Sequence, residues 1–308
     1  MRASSSRTRR CVLRLPIDPR ETTMPIPSSC VNQISTPAEE TIDPRWAMNF
    51  AAAIDDFNPR LYATDEGALQ VHPLYLGYTE WEATKQVMAP VPLTDGERMR
   101  GVAAGIVQTM HQPLRTGMHI STTARITALY RHSAGAFMEK TIETTSGGEP
   151  VCTTLFRSVM RGVEVDGPDV AGVAPLQRTP FGDAPTLRER IVLHPNACHV
   201  FSECARAYNA FHTDISVARK AGLSGLILHG AATMAHAVSV LTKHFADGDM
   251  TRIRRIAGDY RAMVFVPGAI EVQAGAAVEG PLGLYVPFQV LTDDGKSAVA
   301  GGELVLSA

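Results

Sequence analysis

The sequence predicts an α+β protein made of two similar units, each with helices followed by an antiparallel sheet. Two observations predict this organisation. A helix-like segment ending in an aromatic–Asn pair occurs twice, as Phe57-Asn58 and Tyr208-Asn209, at an offset of 151 residues. A histidine then precedes a longer helical segment in each half, His72 in the first and His229 in the second. Such self-similarity indicates a duplicated structural unit.

The N-terminal unit is predicted to contain a helix-like segment over residues 46–62 and an amphipathic helix over residues 75–88. Alternating apolar and polar residues then predict three strands, over residues 120–130, 136–145 and 151–160. Two short glycine-bearing segments typical of hairpin turns separate these strands, Ser133-Ala134-Gly135 and Ser146-Gly147-Gly148-Glu149. The three strands should therefore pair antiparallel in sequence order.

The C-terminal unit repeats this order. It has a helix-like segment over residues 199–212, and its three predicted strands cover residues 270–278, 282–292 and 297–306. A strong turn, Asp293-Asp294-Gly295-Lys296, lies between the last two. Residues 232–245 are too uniformly apolar for a surface helix, so we expect a central helix wrapped by the sheet.

Composition divides the chain into four regions. A stretch rich in Gly, Pro and Asp over residues 162–186 separates the units, and the first 24 residues carry a net charge of +4. We predict a flexible leader over 1–35, an N-terminal unit over 36–165, a linker over 166–185 and a C-terminal unit over 186–308. The leader is either upstream sequence before a start at Met24 or an organellar transit segment. Accordingly, we expect a cytoplasmic protein or, with a transit segment, one in an organelle matrix.

Composition also excludes several functions. The 308 residues are 45% hydrophobic and 19% charged, as in an ordinary globular protein. A net charge of −2 gives no electrostatic reason to expect a nucleic acid or an anionic membrane as partner. The five cysteines form no CxxC pair, which favours free thiols, with Cys152 and Cys198 buried, and the histidines show no metal-ligand spacing.

Candidate functional residues concentrate between Tyr208 and Gly230. His212 lies in a loop that occurs at the matching place in both units. Gly230 starts the buried helix, where free backbone N–H groups favour negative charge on a substrate oxygen. Asp214 suits the N-cap of a short helix that Gly222 ends. Tyr208 could be a core aromatic or a substrate contact.

These residues resemble the MaoC-like, (R)-specific enoyl-CoA hydratase/dehydratase family. Its signature reads Asp-x-Asn-Pro-[Leu/Ile/Val]-His, then Ala-Gly-Phe/Leu, then Ile-Leu-His-Gly. This chain has Asn209-Ala210-Phe211-His212, Ala221-Gly222-Leu223 and Ile227-Leu228-His229-Gly230. The first unit resembles the diverged copy of two-unit members, with Asp56-Phe57-Asn58-Pro59 and Leu61 at the histidine position. The resemblance covers residues 40–308.

The resemblance implies two hot-dog units, each an antiparallel β-sheet around a long central α-helix, with both sheets joined in one pseudo-dimer. It implies hydration or dehydration of an enoyl or 3-hydroxyacyl thioester of coenzyme A, with no metal or redox cofactor. Acyl-CoA would be the small-molecule partner, and a homodimer stays open. The implied catalytic residues are His212 as general base, Gly230 as oxyanion donor and Asn209. The predicted substrate-binding residues are His229, Tyr208, Asp214 and Lys220, the last as part of a basic pair that could contact the phosphates of coenzyme A.

One departure from the signature leaves the reaction open. The aspartate that should pair with His212 is Ala207, while the first unit keeps Asp56 but lacks the histidine. His212 could act with Asp214, Glu203 or water in the role of the carboxylate, or as the single proton-transfer group. Alternatively, the chain is an acyl-CoA-binding pseudoenzyme or partner subunit. A thioesterase is the third alternative, although residues 231–233 supply no carboxylate to it. We do not expect Asp56 to reach His212.

Overall fold

The computed structural model describes residues 24–308, so most of the predicted leader lies outside the described residues. In chain order, the elements of the N-terminal half are β1 (Ile26–Pro27), β2 (Ala38–Thr41), α1 (Pro44–Ala52), α2 (Gly77–Met88), α3 (Asp95–Arg98), β3 (Gly101–Met110), β4 (His119–His132), β5 (Gly135–Ser146), β6 (Glu149–Arg161) and β7 (Val165–Asp166).

The C-terminal half follows the same order of helices before sheet. Its elements are β8 (Leu187–Leu193), α4 (Ala197–Cys204), α5 (Ala210–Thr213), α6 (Ile215–Lys220), β9 (Leu226–Ile227), α7 (Gly230–Ala246), β10 (Ile253–Tyr260), β11 (Phe265–Val266), β12 (Gly268–Ala274), β13 (Val278–Gly280), β14 (Gly283–Thr292) and β15 (Ser297–Leu306). Within residues 24–308, no helix has the length and apolar character needed to cross a membrane.

One antiparallel sheet runs through both halves, in the order β2-β4-β5-β6-β3-β10-β15-β14-β12-β8, with β13 paired to β14. The β3–β10 pair joins the halves, with Gln108 opposite Ile256 and Ile106 opposite Gly258. Helix α2 packs on β4 and β2, and α7 packs on β15, β12, β10 and β14. The predicted α+β class, with two sheets fused into one around central helices, is confirmed.

Five of the six predicted hairpin strands lie where the alternation places them, whereas the strand predicted over residues 270–278 ends at Ala274. The strands at the seam between the halves were not predicted. Both β3 and β10 contain glycines that the packing requires, because a Cβ at Gly258 would lie 2.8 Å from Met234 and from Val299. A Cβ at Gly105 would lie 3.1 Å from the carbonyl oxygen of Gly258. These positions are constrained by partners distant in sequence, so the local pattern does not mark them as strand.

The folded chain begins before the predicted end of the leader. Ile26 and Cys30 are fully buried, in a cluster that also contains Ile126 and Leu129. Ile26 pairs in parallel with Val165. The prediction that residues up to 35 are flexible is therefore wrong from Ile26 onward, because apolar side chains there complete the core of the first half.

The segment after β7 crosses from one half to the other in an extended course. Val170 pairs with Leu129, and the backbone N–H of Val173 donates to the buried carboxylate of Glu139, 3.1 Å away. Further on, the N–H of Thr179 donates to the buried carboxylate of Glu303 in β15, 2.7 Å away. These contacts attach the predicted linker to the sheet on both sides of the seam.

The two halves share one core around a pair of equivalent phenylalanines. Phe50 in α1 and Phe201 in α4 meet at a ring-centroid distance of 5.8 Å with an edge-to-face angle of 64°. After each helix, at the offset of 151 residues, the chain turns through a left-handed residue, Asp55 with φ 51° and Arg206 with φ 55°. The repeat read from the sequence is thus present in the backbone.

Candidate functional site

His212 lies in α5, in the loop between α4 and α6, with its ring directed toward the start of α7. Its Nδ1 is 2.7 Å from the carbonyl oxygen of Ile227. Because a carbonyl only accepts hydrogen bonds, Nδ1 carries the proton and Nε2 keeps its lone pair. His212 therefore presents the atom that a general base requires.

His229 is the buried N-cap residue of α7, and its ring stacks on His212 with 3.6 Å between centroids. Its Nε2 is 3.0 Å from the carbonyl oxygen of Ala207 and 3.2 Å from the hydroxyl oxygen of Ser202. Its buried Nδ1 has no hydrogen-bond partner in the described part of the chain. His229 thus fixes the loop that carries His212, through the backbone at the position where the signature has aspartate.

Both imidazoles are neutral near physiological pH. Burial lowers the pKa of His212 from 6.5 to about 4, partly opposed by the hydrogen bond to Ile227. Burial and then repulsion from His212 lower the pKa of His229 to about 3. His212 is consequently in its basic form, and its conjugate acid would be a strong proton donor.

Gly230 is the first residue of α7 and lies beneath the ring of Tyr260. A Cβ at this position would be 3.2 Å from ring atom Cε1 and 3.5 Å from Cζ. Any larger residue would thus press on the aromatic ring. The N–H groups in the first turn of a helix have no intrahelical acceptor and concentrate positive potential, so this end of α7 suits a developing oxyanion.

The other predicted residues surround this centre in different ways. Asn209 precedes α5, and its carbonyl accepts from the N–H of His212, 3.0 Å away. Asp214 caps α6, accepting from the N–H groups of Ser216 and Val217, as predicted. Tyr208 is 58% exposed, so its interpretation as a core aromatic is wrong. Lys220 is exposed at the end of α6, and its contact with substrate stays a prediction.

No carboxylate replaces the missing aspartate beside His212 among the described residues. The carboxylate of Asp214 is engaged in the helix cap, and Glu203 accepts a long hydrogen bond from Tyr208, at 3.5 Å. Asp56 lies in the N-terminal half. Its charge raises the pKa of His72 and of His236 in α7, against the larger lowering that burial causes. The charge of Asp56 thus acts on other histidines, and the expectation that Asp56 does not reach His212 stays a prediction.

Two residues near the site were not found from the sequence. Arg206 precedes Ala207 and reaches Glu40 and Tyr75 of the other half. Tyr260 covers Gly230 from the end of β10. Their partners are 166 residues and 30 residues away in the chain, and neither belongs to a short motif, so no local signal marks them.

The surface cavity beneath the linker lies apart from this centre. A surface cavity of about 240 Å³ is lined by Glu139, Arg157 and Asp259, under the linker, and does not include His212 or Gly230. Among residues 24–308, no cluster of three or more His, Cys, Asp or Glu side chains could hold a metal ion.

Comparison with known proteins finds a match in each half of this chain. Residues 177–278 match the MaoC like domain, and residues 31–154 match the FAS1-like dehydratase domain region. A probable enoyl-CoA hydratase 2 of Dictyostelium discoideum is 25% identical over 154 residues, which are 49% of this chain and 52% of that protein. The match thus spans about half the length of this relative.

Solved structures show the same fold across nearly the whole chain. A MaoC-like dehydratase from Phytophthora capsici superposes with a TM-score of 0.78 at 21% identity, covering 91% of this chain and 97% of that one. A conserved hypothetical protein from Mycobacterium tuberculosis with a double hotdog fold gives a TM-score of 0.62 at 12% identity, covering 89% and 95%. The two halves are therefore hot-dog units.

Proposed function

We propose that this chain, which joins a FAS1-like dehydratase region to a MaoC-like domain, adds water to an enoyl thioester of coenzyme A or removes it from a 3-hydroxyacyl thioester. The relative from Dictyostelium and the two domain matches support this reaction class. The observation that carries the proposal is the free Nε2 of His212 beside the N-terminus of α7.

In the hydration direction, Nε2 of His212 takes a proton from water as the water oxygen bonds to Cβ of the substrate. The double bond shifts toward the carbonyl, and the N–H of Gly230 stabilises the negative thioester oxygen. The imidazolium then returns the proton to Cα. No atom is left over, and dehydration is the reverse sequence.

A single base is consistent with the environment of His212. Its imidazolium is destabilised by burial, so the proton taken from water is readily given up to Cα. The paired aspartate of the signature is then dispensable for proton transfer, and Ala207 contributes only its carbonyl, which positions His229. No cofactor takes part in the proposed reaction.

Ala207, at the aspartate position of the signature, supports a second candidate function, the binding of acyl-CoA without reaction. With Ala207 in place of an acid, the chain could bind acyl-CoA without turnover, as a partner subunit. The thioesterase alternative has less support, because the first turn of α7 offers Ala231, Ala232 and Thr233 but no carboxylate.

We expect the full chain to consume the conjugated-thioester absorbance of crotonyl-CoA or of trans-2-decenoyl-CoA, and His212→Ala to reduce kcat/KM by roughly 10²–10⁴-fold. Histidine 244 is exposed on the last turn of α7, so His244→Ala is the matched control and should keep full activity. Release of free thiol would instead identify a thioesterase. Tight binding without either reaction would identify the binding subunit.

A second substitution tests the one-base mechanism. Because His212 completes the proton transfer alone in this proposal, Ala207→Asp is expected to change kcat by less than about 10-fold. The same progress curves measure it. A gain of a hundredfold or more would contradict the one-base mechanism and show that the site lacks a carboxylate it could use.

A further inference from the structure

Tyr260 has a hydroxyl group without a protein partner next to the start of α7. The residue ends β10 and is half-buried, and no side chain or backbone group within residues 24–308 forms a hydrogen bond with its hydroxyl. A buried tyrosine hydroxyl usually has a hydrogen-bond partner, and the phenol group of Tyr260 is buried enough for burial to be the main cause that raises its pKa. The missing partner therefore suits an acceptor atom that belongs to a bound ligand.

The position of the ring relates this hydroxyl to Gly230. The carbon that carries the hydroxyl, Cζ, lies 3.5 Å from where a Cβ of Gly230 would be, and Cε1 lies at 3.2 Å. The phenol ring therefore lies against Gly230, the residue that carries the first N–H group of α7. An oxygen atom accepting from the N–H of Gly230 would lie close to the phenol.

The surroundings keep the phenol protonated. Burial is the main cause that raises the pKa of Tyr260, and the negative charge of Glu80, in α2 of the other half, adds to it. Glu80 is itself buried, and its Oε1 accepts from the hydroxyl of Thr154 at 2.6 Å. Tyr260 is therefore a hydrogen-bond donor throughout the physiological pH range.

We propose that the hydroxyl of Tyr260 is a second donor to the thioester oxygen, beside the N–H of Gly230. This inference rests on the proposed function and adds one catalytic residue to it. It also gives Gly230 a second role, since only glycine at this position lets the ring approach. The donor comes from β10, the strand at the seam, so the site in the second half depends on the junction with the first.

Tyr260→Phe removes the hydroxyl and keeps the ring on Gly230. With crotonyl-CoA, we expect kcat to fall by roughly 10²–10³-fold and KM to change little, because a donor to the oxyanion acts mainly in the transition state. Tyr285→Phe, also half-buried and in the same sheet, is the matched control and should keep the wild-type kcat. Equal kcat in Tyr260→Phe and wild type, with wild-type turnover present, would overturn the inference.

A second measurement does not depend on turnover. The infrared carbonyl stretch of bound crotonyl-CoA should shift to lower frequency in the wild type, and Tyr260→Phe should show a smaller shift. If the wild type polarises the carbonyl more than Tyr260→Phe does but does not hydrate it, the proposed function fails and the hydrogen bond from Tyr260 to the thioester oxygen stands. An equal shift in wild type and Tyr260→Phe, or no shift in the wild type, overturns the inference.

Discussion

Lowering the pH from 7.5 to 5 is expected to reduce the free energy of unfolding by about 8 kcal/mol, because four buried histidines stay neutral in the folded chain. Burial is the main cause that lowers the pKa of His72, His212 and His236 to about 4 and of His229 to about 3. In the unfolded chain each would titrate near 6.5. The unfolded state therefore binds more protons below pH 6.5, and each histidine removes about 2 kcal/mol at pH 5.

The sign is opposite for Glu80, whose pKa burial raises above 4.5, so that its protonation relieves a cost as the pH falls. The stabilisation from protonating Glu80 offsets only part of the loss that the four histidines cause. Since globular proteins have only about 5–15 kcal/mol of stability, we expect unfolding near pH 5. The loss should begin near pH 6.5 and continue toward pH 4.

Urea unfolding at pH 7.5, 6 and 5 measures this dependence. His236→Gln should lower the loss between pH 7.5 and 5 by about 2 kcal/mol, because it removes one of the buried titrating groups. His244→Gln, on an exposed histidine, should leave the loss unchanged. Equal free energies of unfolding at pH 7.5 and pH 5 would refute the assignment of neutral buried histidines.

The parts of the fold predictable from sequence are those with local causes. The turn at Asp293-Asp294-Gly295-Lys296 and the uniformly apolar face of α7 depend on residues that are neighbours in the chain, and both features are where the pattern places them. The seam between β3 and β10 depends instead on the close approach of Gly105 to the carbonyl oxygen of Gly258, 153 residues away in the chain. The alternation of apolar and polar residues within one segment does not predict such a long-range contact.

The site shows the same division. His212 and Gly230 both belong to motif segments only 18 residues apart in the chain, with α6 and β9 between them. The burial that sets the protonation of His212, and the aromatic ring over Gly230, come from packing against other elements. Ala207 was visible in the sequence, but the use of its carbonyl as an acceptor for His229 required the structure.

Arg206 connects the loop that carries His212 in the second half to the first half. Its Nη2 donates to Glu40 Oε1 at 2.8 Å and to the hydroxyl oxygen of Tyr75 at 3.0 Å, and that hydroxyl donates to the same Glu40 oxygen at 2.6 Å. The guanidinium also lies 3.7 Å from the ring centroid of Tyr78. The Arg206 and Glu40 side chains are only 12% and 10% exposed, so the pair is held away from water.

Arg206→Met is therefore expected to reduce the free energy of unfolding by about 3–5 kcal/mol, since it leaves Glu40 buried without its counter-charge. It should also lower kcat, because Arg206 directly precedes Ala207, whose carbonyl fixes His229 and, through stacking, His212. Urea unfolding and crotonyl-CoA hydration measure the two effects. Arg206→Lys keeps the charge but not the planar stacking on Tyr78, so an intermediate loss is expected.

Two further variants separate a buried ion pair from an ordinary surface one. Arg188 pairs with Glu271 at 2.9 Å but is 58% exposed, so Arg188→Met should cost less than about 1 kcal/mol. Adding Glu40→Gln to Arg206→Met removes the uncompensated charge and should restore much of the lost stability, giving a large coupling energy between the two sites. Additive losses would mean that the two side chains act independently. In that case only the aromatic contacts of Arg206 would hold the loop that carries His212 against the first half.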